Sequence, residues 1–135
     1  MKLTRTARRA NGMTLLELTV VILVLLSLIA ILFVGARAWK KGSDRAANIM
    51  NIRNVQQAVR AHQNMQGLLE GAALASTTIF GNGTTDGYLK TPTPPASGLT
   101  YAYGSTVPAI GTLYLTVSGT NAADYAPAAG TYADW

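Results

Sequence analysis

The most constraining feature of the chain is an apolar segment near its start, which carries no charged side chain from residue 18 to residue 36. A helix rises ~1.5 Å per residue, so a helix of this segment spans nearly the ~30 Å hydrocarbon core of a bilayer. The segment therefore predicts a membrane-crossing helix. The remaining residues have material for one small domain only.

The chain is basic, with a formal net charge of +5 at pH 7. Its positive side chains flank the apolar segment, with Lys2, Arg5, Arg8 and Arg9 before it and Arg37, Lys40, Lys41 and Arg45 after it. Cations in such places serve membrane topology and lipid headgroup contact. We therefore expect lipid, and not nucleic acid, as the partner of this charge. The equal numbers on the two sides do not decide the orientation.

The composition offers little for catalysis. The chain has no cysteine, which excludes disulfides, thiolate metal sites and cysteine nucleophiles. His62 is the only histidine, with no acidic residue placed near it in sequence for a nucleophilic triad. We expect no enzyme activity and no cofactor, and we expect His62 to contact the C-terminal domain or a neighbouring molecule.

The N-terminal half is permissive for helix throughout. All five prolines follow Met65, and apolar residues between positions 43 and 65 recur at helical spacing, at Ile49, Ile52, Val55, Val59 and Met65. One helix from Thr14 to Gln66 would be ~80 Å long, with Gly35 and Gly42 as the places where it could bend.

The C-terminal half is rich in turn residues and alternating strands. We predict a short helix at residues 72–77 and strands at residues 99–103 and 112–117. A third strand near residues 131–135 would complete a small antiparallel sheet that packs on the amphipathic helix, with the tyrosines between them. The predicted fold class is α+β.

Three interpretations of the N-terminus compete. A secretory signal is suggested by the A-x-A pattern of Ala36-Arg37-Ala38, with a mature start at Trp39, although the apolar run exceeds the ~7–15 residues of such signals. A simple membrane anchor, carrying a secreted or membrane-bound binding module, leaves Gly12 and Glu17 unexplained. The third interpretation explains both residues.

The stretch from Gly12 to Glu17, followed by the apolar run, resembles the processing signal of the type IV pilin superfamily, which includes the pseudopilins of type II secretion. The resemblance implies that a prepilin peptidase cleaves between Gly12 and Met13, that Met13 is then N-methylated, and that Glu17 is the assembly carboxylate. Met13 stands where the family usually has Phe. Many members also have a proline in the helix where this chain has Val34, so we expect a more continuous helix.

Glu17 can be interpreted in two ways. Inserting a charged carboxylate into the bilayer centre is unfavourable by about 2.5–3.5 kcal/mol, and by less near the membrane surface. A nearby cation offsets this free energy. In the family, that cation is the N-terminal amine of a neighbouring subunit. Alternatively, Thr14 and Glu17 form a capping box at the start of the helix. The two roles are compatible.

The C-terminal half is loosely similar to the head of the major pseudopilin of type II secretion, from Gly87-Tyr88-Leu89-Lys90 to the terminal Ala133-Asp134-Trp135. In that family a terminal loop binds calcium. Here Asp124 and Asp134 are the only carboxylate side chains in the final stretch, so they are the calcium candidates, and they supply few of the 6–8 oxygens that Ca²⁺ takes.

The resemblance divides the chain into a cleaved leader (residues 1–12), a transmembrane assembly helix (13–36), its amphipathic continuation (37–66) and a small head (67–135). It implies a pilin-like lollipop that starts as a single-pass protein of the bacterial inner membrane, with its head outside the cytoplasm. Through an inner-membrane assembly platform it would enter a periplasmic or extracellular filament of identical subunits. A surface pilus or a DNA-uptake (competence) pilus is the alternative within the superfamily.

Overall fold

The computed structural model describes residue 12 and residues 14–135. Within them, helix α1 (Leu15–Gln66) is followed by the short helix α2 (Ser76–Phe80), strands β1 (Leu99–Tyr103) and β2 (Leu115–Gly119), and the short helix α3 (Ala122–Tyr125). The two strands form one antiparallel sheet. One long N-terminal helix followed by a small antiparallel sheet confirms the predicted α+β class.

Helix α1 runs unbroken for 52 residues, through Val34, Gly35 and Gly42. It ends at Gln66, as the sequence predicted, because Gly67 adopts the left-handed conformation at φ +63°. The Leu68 amide then donates to the Gln63 carbonyl at 3.0 Å, which is the bond of a Schellman motif. Leu68 also packs against the hydrophobic core.

The chain divides into two compact units, one reaching to Trp39 and one running from Lys40 to Trp135. In the first unit, every described residue is exposed. The second unit has a hydrophobic core, to which α1 contributes Ile52, Val55, Ala58 and Val59 and the rest of the chain contributes Leu74, Ile79, Val107, Tyr114 and Leu115. The helical spacing of residues 52, 55 and 59 thus selected the buried face. Met65, predicted on the same stripe, is 70% exposed because it lies beyond His62, the last buried residue of α1.

The predicted strand at residues 99–103 is confirmed as β1. Strand β2 begins later than predicted, at Leu115, and pairs with β1 from Tyr103↔Leu115 to Leu99↔Gly119. The reason lies in α1: the Gln56 side chain donates to the Thr112 carbonyl at 2.9 Å and accepts from the Tyr114 amide at 3.0 Å. These backbone groups therefore bond to the helix and not to β1.

Two other predictions were wrong. Residues 72–77 do not start a helix, because Leu74 N donates to Ser105 O and Val107 N to Ala72 O, so helix α2 begins only at Ser76. Residues 131–135 form turns and not a third strand. There the Thr131 and Trp135 amides donate to carbonyls three residues earlier in the chain.

Candidate functional site

The first candidate site is the apolar part of α1. Residues 14–43 are all exposed, including large side chains such as Leu26 at 62% and Leu32 at 71%. The helix is long and apolar enough to cross a membrane, and none of its most apolar window is buried. A buried core helix of a soluble domain passes the same test of length and composition, but this segment is not covered by the described residues.

Glu17 lies in the first turn of this helix. The Thr14 amide donates to Glu17 Oε2 at 3.1 Å, and the Glu17 amide donates to Thr14 Oγ1 at 3.3 Å. The predicted capping box is therefore formed. A carboxylate has about four lone-pair sites, so one amide bond does not exhaust its accepting capacity. The cap fixes Glu17 at the start of the exposed segment with its charge still able to interact.

The predicted processing residues are only partly described. Gly12 is exposed and lies outside helix α1. Met13 and residues 1–11 lie outside the described residues. The cleavage position therefore stays a prediction from the sequence.

The buried face of α1 carries two amide side chains that the sequence analysis missed. Asn48 is completely buried and donates to the Tyr125 carbonyl at 2.7 Å, while its oxygen accepts from the Tyr101 hydroxyl at 2.7 Å. Gln56, two turns later, makes the two bonds to the segment before β2 described above. Each amide thus uses both its donor and its acceptor. Their burial could have been predicted from helical spacing, since residues 48 and 56 lie on the same face of α1 as the apolar residues 52 and 59.

The predicted packing of tyrosines holds for Tyr101, Tyr103 and Tyr114, which lie in or against the core to which α1 contributes, whereas Tyr88 is exposed. Tyr114 is 1% exposed, and its hydroxyl donates to the Leu74 carbonyl at 3.0 Å. Burial raises the pKa of the Tyr114 phenol above its usual value. His62, as expected, contacts the C-terminal part of the chain: its Nδ1 lies 3.0 Å from the Tyr88 hydroxyl. The two rings also meet edge to face, with 5.4 Å between their centroids.

Among the described residues, neither calcium candidate, Asp124 or Asp134, lies in a cluster of acidic side chains. Asp124 pairs with Lys41, with 2.7 Å between Oδ2 and Nζ, and this contact raises the pKa of Lys41. Asp134 is exposed beside a cleft. No group of three or more metal-ligating side chains occurs in residues 14–135. The structure therefore offers calcium few of the 6–8 oxygens that it takes.

A cleft of about 480 Å³ on the second unit was not predicted. The Arg53 guanidinium lies 5.3 Å from the centre of the Trp135 ring, a cation–π distance. Arg60 donates to the carbonyls of Pro108 at 2.8 Å and Trp135 at 3.0 Å. The two arginines thus hold the final residues against α1, which explains why residues 131–135 turn back to the helix.

Comparison with known proteins gives no match for this chain. No protein-family model, no curated protein and no solved structure is significantly similar to it. The function proposed for this chain therefore rests on its own residues, their geometry and the resemblance of residues 12–17 to the type IV pilin signal.

Proposed function

We propose that the protein is a structural subunit of a type IV pilus-like filament, of the type II secretion pseudopilin kind, made as a precursor that prepilin peptidase cleaves after Gly12. The observation that carries the proposal is the first part of α1: a charge-free, fully exposed apolar helix with a capped carboxylate, Glu17, in its first turn. A filament subunit needs such a surface twice, first in the membrane and then in the filament core.

The exposed helix has to be covered. Each large apolar side chain gains about 1.5–3 kcal/mol when it leaves water, and this segment exposes such side chains on every side. Lipid covers them before assembly. In the filament, the same surfaces pack against the helices of other copies. The head is built independently of this segment, because its core uses α1 only from Ile52 onward.

Glu17 supplies the register of assembly in this proposal. Its charge is unfavourable in hydrocarbon unless a cation lies close to it. Cleavage after Gly12 creates a cation, the Met13 amine, at nearly the same depth in the membrane. Pairing of this amine with Glu17 of a neighbouring subunit satisfies both charges and fixes the axial offset between the two copies. The Thr14 amide survives cleavage, so the capping box persists in the mature subunit.

Two substitutions of Glu17 separate the assembly role from the cap. Glu17→Gln keeps an acceptor for the Thr14 amide, since Gln also closes a capping box, but removes the charge. Glu17→Ala removes both. We expect both variants to insert into membranes and to lose filament assembly, as counted by electron microscopy and sedimentation of sheared material. If Glu17→Gln assembles as well as the parent chain, the carboxylate serves only as a cap.

The same experiment distinguishes the other classes of function. A membrane-anchored binding module would form no filaments in any variant, and Glu17 substitutions would leave it unchanged. A DNA-uptake pilus would form Glu17-dependent filaments that also bind DNA, with an affinity that falls steeply as salt is raised. Filaments without such binding would favour the secretion pseudopilus or a surface pilus.

A further inference from the structure

The second unit exposes a group of large apolar side chains at the C-terminal end of α1. Leu69 is 81% exposed, Met65 70% and Ile110 67%. Single exposed apolar residues are normal on a protein surface. Met65 lies in the last turn of α1, Leu69 in the loop that follows it and Ile110 in a second loop; we call these three residues, together with Glu70, the apolar tip.

Hydrogen bonds hold the apolar tip in place. The Gly71 amide donates to the Val107 carbonyl at 2.9 Å, which joins the loop after α1 to the loop that carries Ile110. Glu70, between Leu69 and Gly71, accepts from the Ile110 amide at 3.2 Å through its Oε1 atom. The tip is therefore an ordered surface that contains one carboxylate.

A surface of complementary character lies on the outer side of α1. Met50 is 63% exposed, Ala46 lies one turn before it, and Arg53 lies nearly one turn after it, so the three share a face. All three are exposed. Trp135 lies against the Arg53 guanidinium and restricts its position. We call Ala46, Met50 and Arg53 the helix flank; it combines apolar area with one cation.

We propose that the apolar tip of one copy docks on the helix flank of a second copy, with Glu70 facing Arg53. This inference rests on the proposed function and adds a second contact to it. Both surfaces combine exposed apolar side chains with one charge, and the charges are opposite. Because the tip and the flank are different patches of the same chain, the contact is heterologous. An axial offset between copies prevents a heterologous contact from closing into a ring, so its repetition gives an open assembly.

The contact implies an axial offset. Met50 and Met65 are 15 residues apart on α1, which is ~22 Å of helix at ~1.5 Å per residue. Parallel copies joined through tip and flank are offset by about this distance.

The contact is too small to hold two copies together alone. Stable interfaces bury roughly 1,200–2,000 Å², which three side chains and their partners do not reach. It forms where helix packing already holds copies at a high effective concentration. The full chain in membranes or filaments is therefore the material in which to test it.

The sequence has no cysteine, so disulfide cross-links can form only between introduced cysteines. We would combine Leu69→Cys with Met50→Cys in the full chain and oxidise membranes and sheared filaments. The expected result is a ladder of disulfide-linked dimers, trimers and larger species, because the contact repeats. Either single variant should give almost no cross-link. The matched control combines Leu69→Cys with Thr78→Cys, an exposed residue of α2, and should give no ladder.

Three results would overturn the contact: a ladder no stronger than that of the control pair, no ladder although filaments form, or efficient dimers of Leu69→Cys alone, which would mean that two tips meet. The proposed function fails separately, if Glu17→Gln assembles normally or if no variant forms filaments. A ladder in membranes under that outcome would support the contact without the filament.

Charge reversal gives a second readout. Glu70→Arg and Arg53→Glu, each added to the double-cysteine chain, should lower the cross-link yield several-fold, and their combination should restore it, because like charges facing each other are unfavourable. Glu70→Gln removes the charge but keeps an acceptor for the Ile110 amide, so it controls for loss of that hydrogen bond. Restoration by the double reversal supports the Glu70–Arg53 pairing. Equal loss in single and double reversals would contradict it.

Discussion

The two parts of helix α1 differ in burial although both are helical throughout. None of the described residues before Lys40 is buried, whereas the part after Lys40 buries Asn48, Ile52, Val55, Gln56, Ala58, Val59 and His62. The first part is apolar on all sides and selects no face. The second part alternates apolar and polar residues at helical spacing, so one face packs on its own domain. The spacing of side chains, more than their number, decides which part of the helix a single chain can cover.

The difference also explains where the polar groups lie. In the second part, the buried amides of Asn48 and Gln56 are paired with groups of the same chain. In the first part, Glu17 bonds only to its own helical turn in the described residues. We infer that the second part belongs to the folded head and that the first part is completed by lipid or by other copies.

The largest difference in the free energy of unfolding should be that between alanine substitutions of two isoleucines, one in each part of α1. Ile52 is 1% exposed and Ile29 is 52% exposed. Ile52→Ala should lower the free energy of unfolding of the second unit by about 2–5 kcal/mol, because it leaves a cavity in the core. Ile29→Ala should leave it unchanged. Urea unfolding in detergent, followed by Trp135 fluorescence in a Trp39→Phe background, measures both. Equal effects would mean that the two parts are not independent.

A smaller difference in stability is expected between alanine substitutions of two adjacent glutamines in the second part of α1. Gln56 is 2% exposed and bonds to Thr112 and Tyr114, while Gln57 is exposed. Gln56→Ala leaves the buried Tyr114 amide without its partner, which costs about 1–3 kcal/mol, and also removes the bond to the carbonyl of the exposed Thr112. Gln57→Ala should cost almost nothing. The same urea titration gives both values, and a Gln56→Ala chain as stable as Gln57→Ala would contradict the assigned pairing.

The alkaline pH dependence of unfolding should belong to the second unit alone. Burial raises the pKa of Tyr101, Tyr103 and Tyr114. A raised pKa in the folded state adds stability that is fully present below the unfolded value of about 10 and is lost as the pH rises through the folded pKa. The urea midpoint should therefore fall above about pH 10.

Tyr114→Phe tests this assignment. It should cost about 0.5–1.5 kcal/mol at neutral pH through the lost bond to Leu74 and make the alkaline fall less steep. Urea midpoints near pH 8 and pH 11 give the comparison. An unchanged alkaline fall would assign it to other groups.

The smallest effect should come from the ion pair between Lys41 and Asp124, whose side chains are 52% and 47% exposed. Solvent and salt screen such a pair. Asp124→Asn should shift the urea midpoint little at low salt and not at all at high salt. A large shift that depended on added calcium would instead give Asp124 the metal-binding role suggested by the sequence.

Much of the fold was predictable from local patterns. Helix α1 follows from the lack of proline before Gly67 and from helical spacing, and β1 follows from its alternation at residues 99–103. The errors arose where distant groups compete for backbone bonds. Gln56 delays the start of β2, and Arg60 binds Trp135 in place of a third strand. Such pairings depend on tertiary contacts and leave no local signal.

For the candidate site, the capping box of Thr14 and Glu17 was predictable because its residues are three apart in sequence. The apolar tip was not, since Ile110 is brought to Glu70 from 40 residues away. Cleavage after Gly12 and the partner of Glu17 stay predictions, because they involve a peptidase and a second copy.

The most direct test of the filament-subunit proposal is the N-terminal residue of the protein recovered from cell envelopes, determined by intact mass and terminal-peptide mass spectrometry. We predict a mature chain that begins with N-methylated Met13. A start at Trp39 would indicate an ordinary secreted protein, and an unprocessed start at Met1 a simple membrane anchor. Either result would contradict the proposed function.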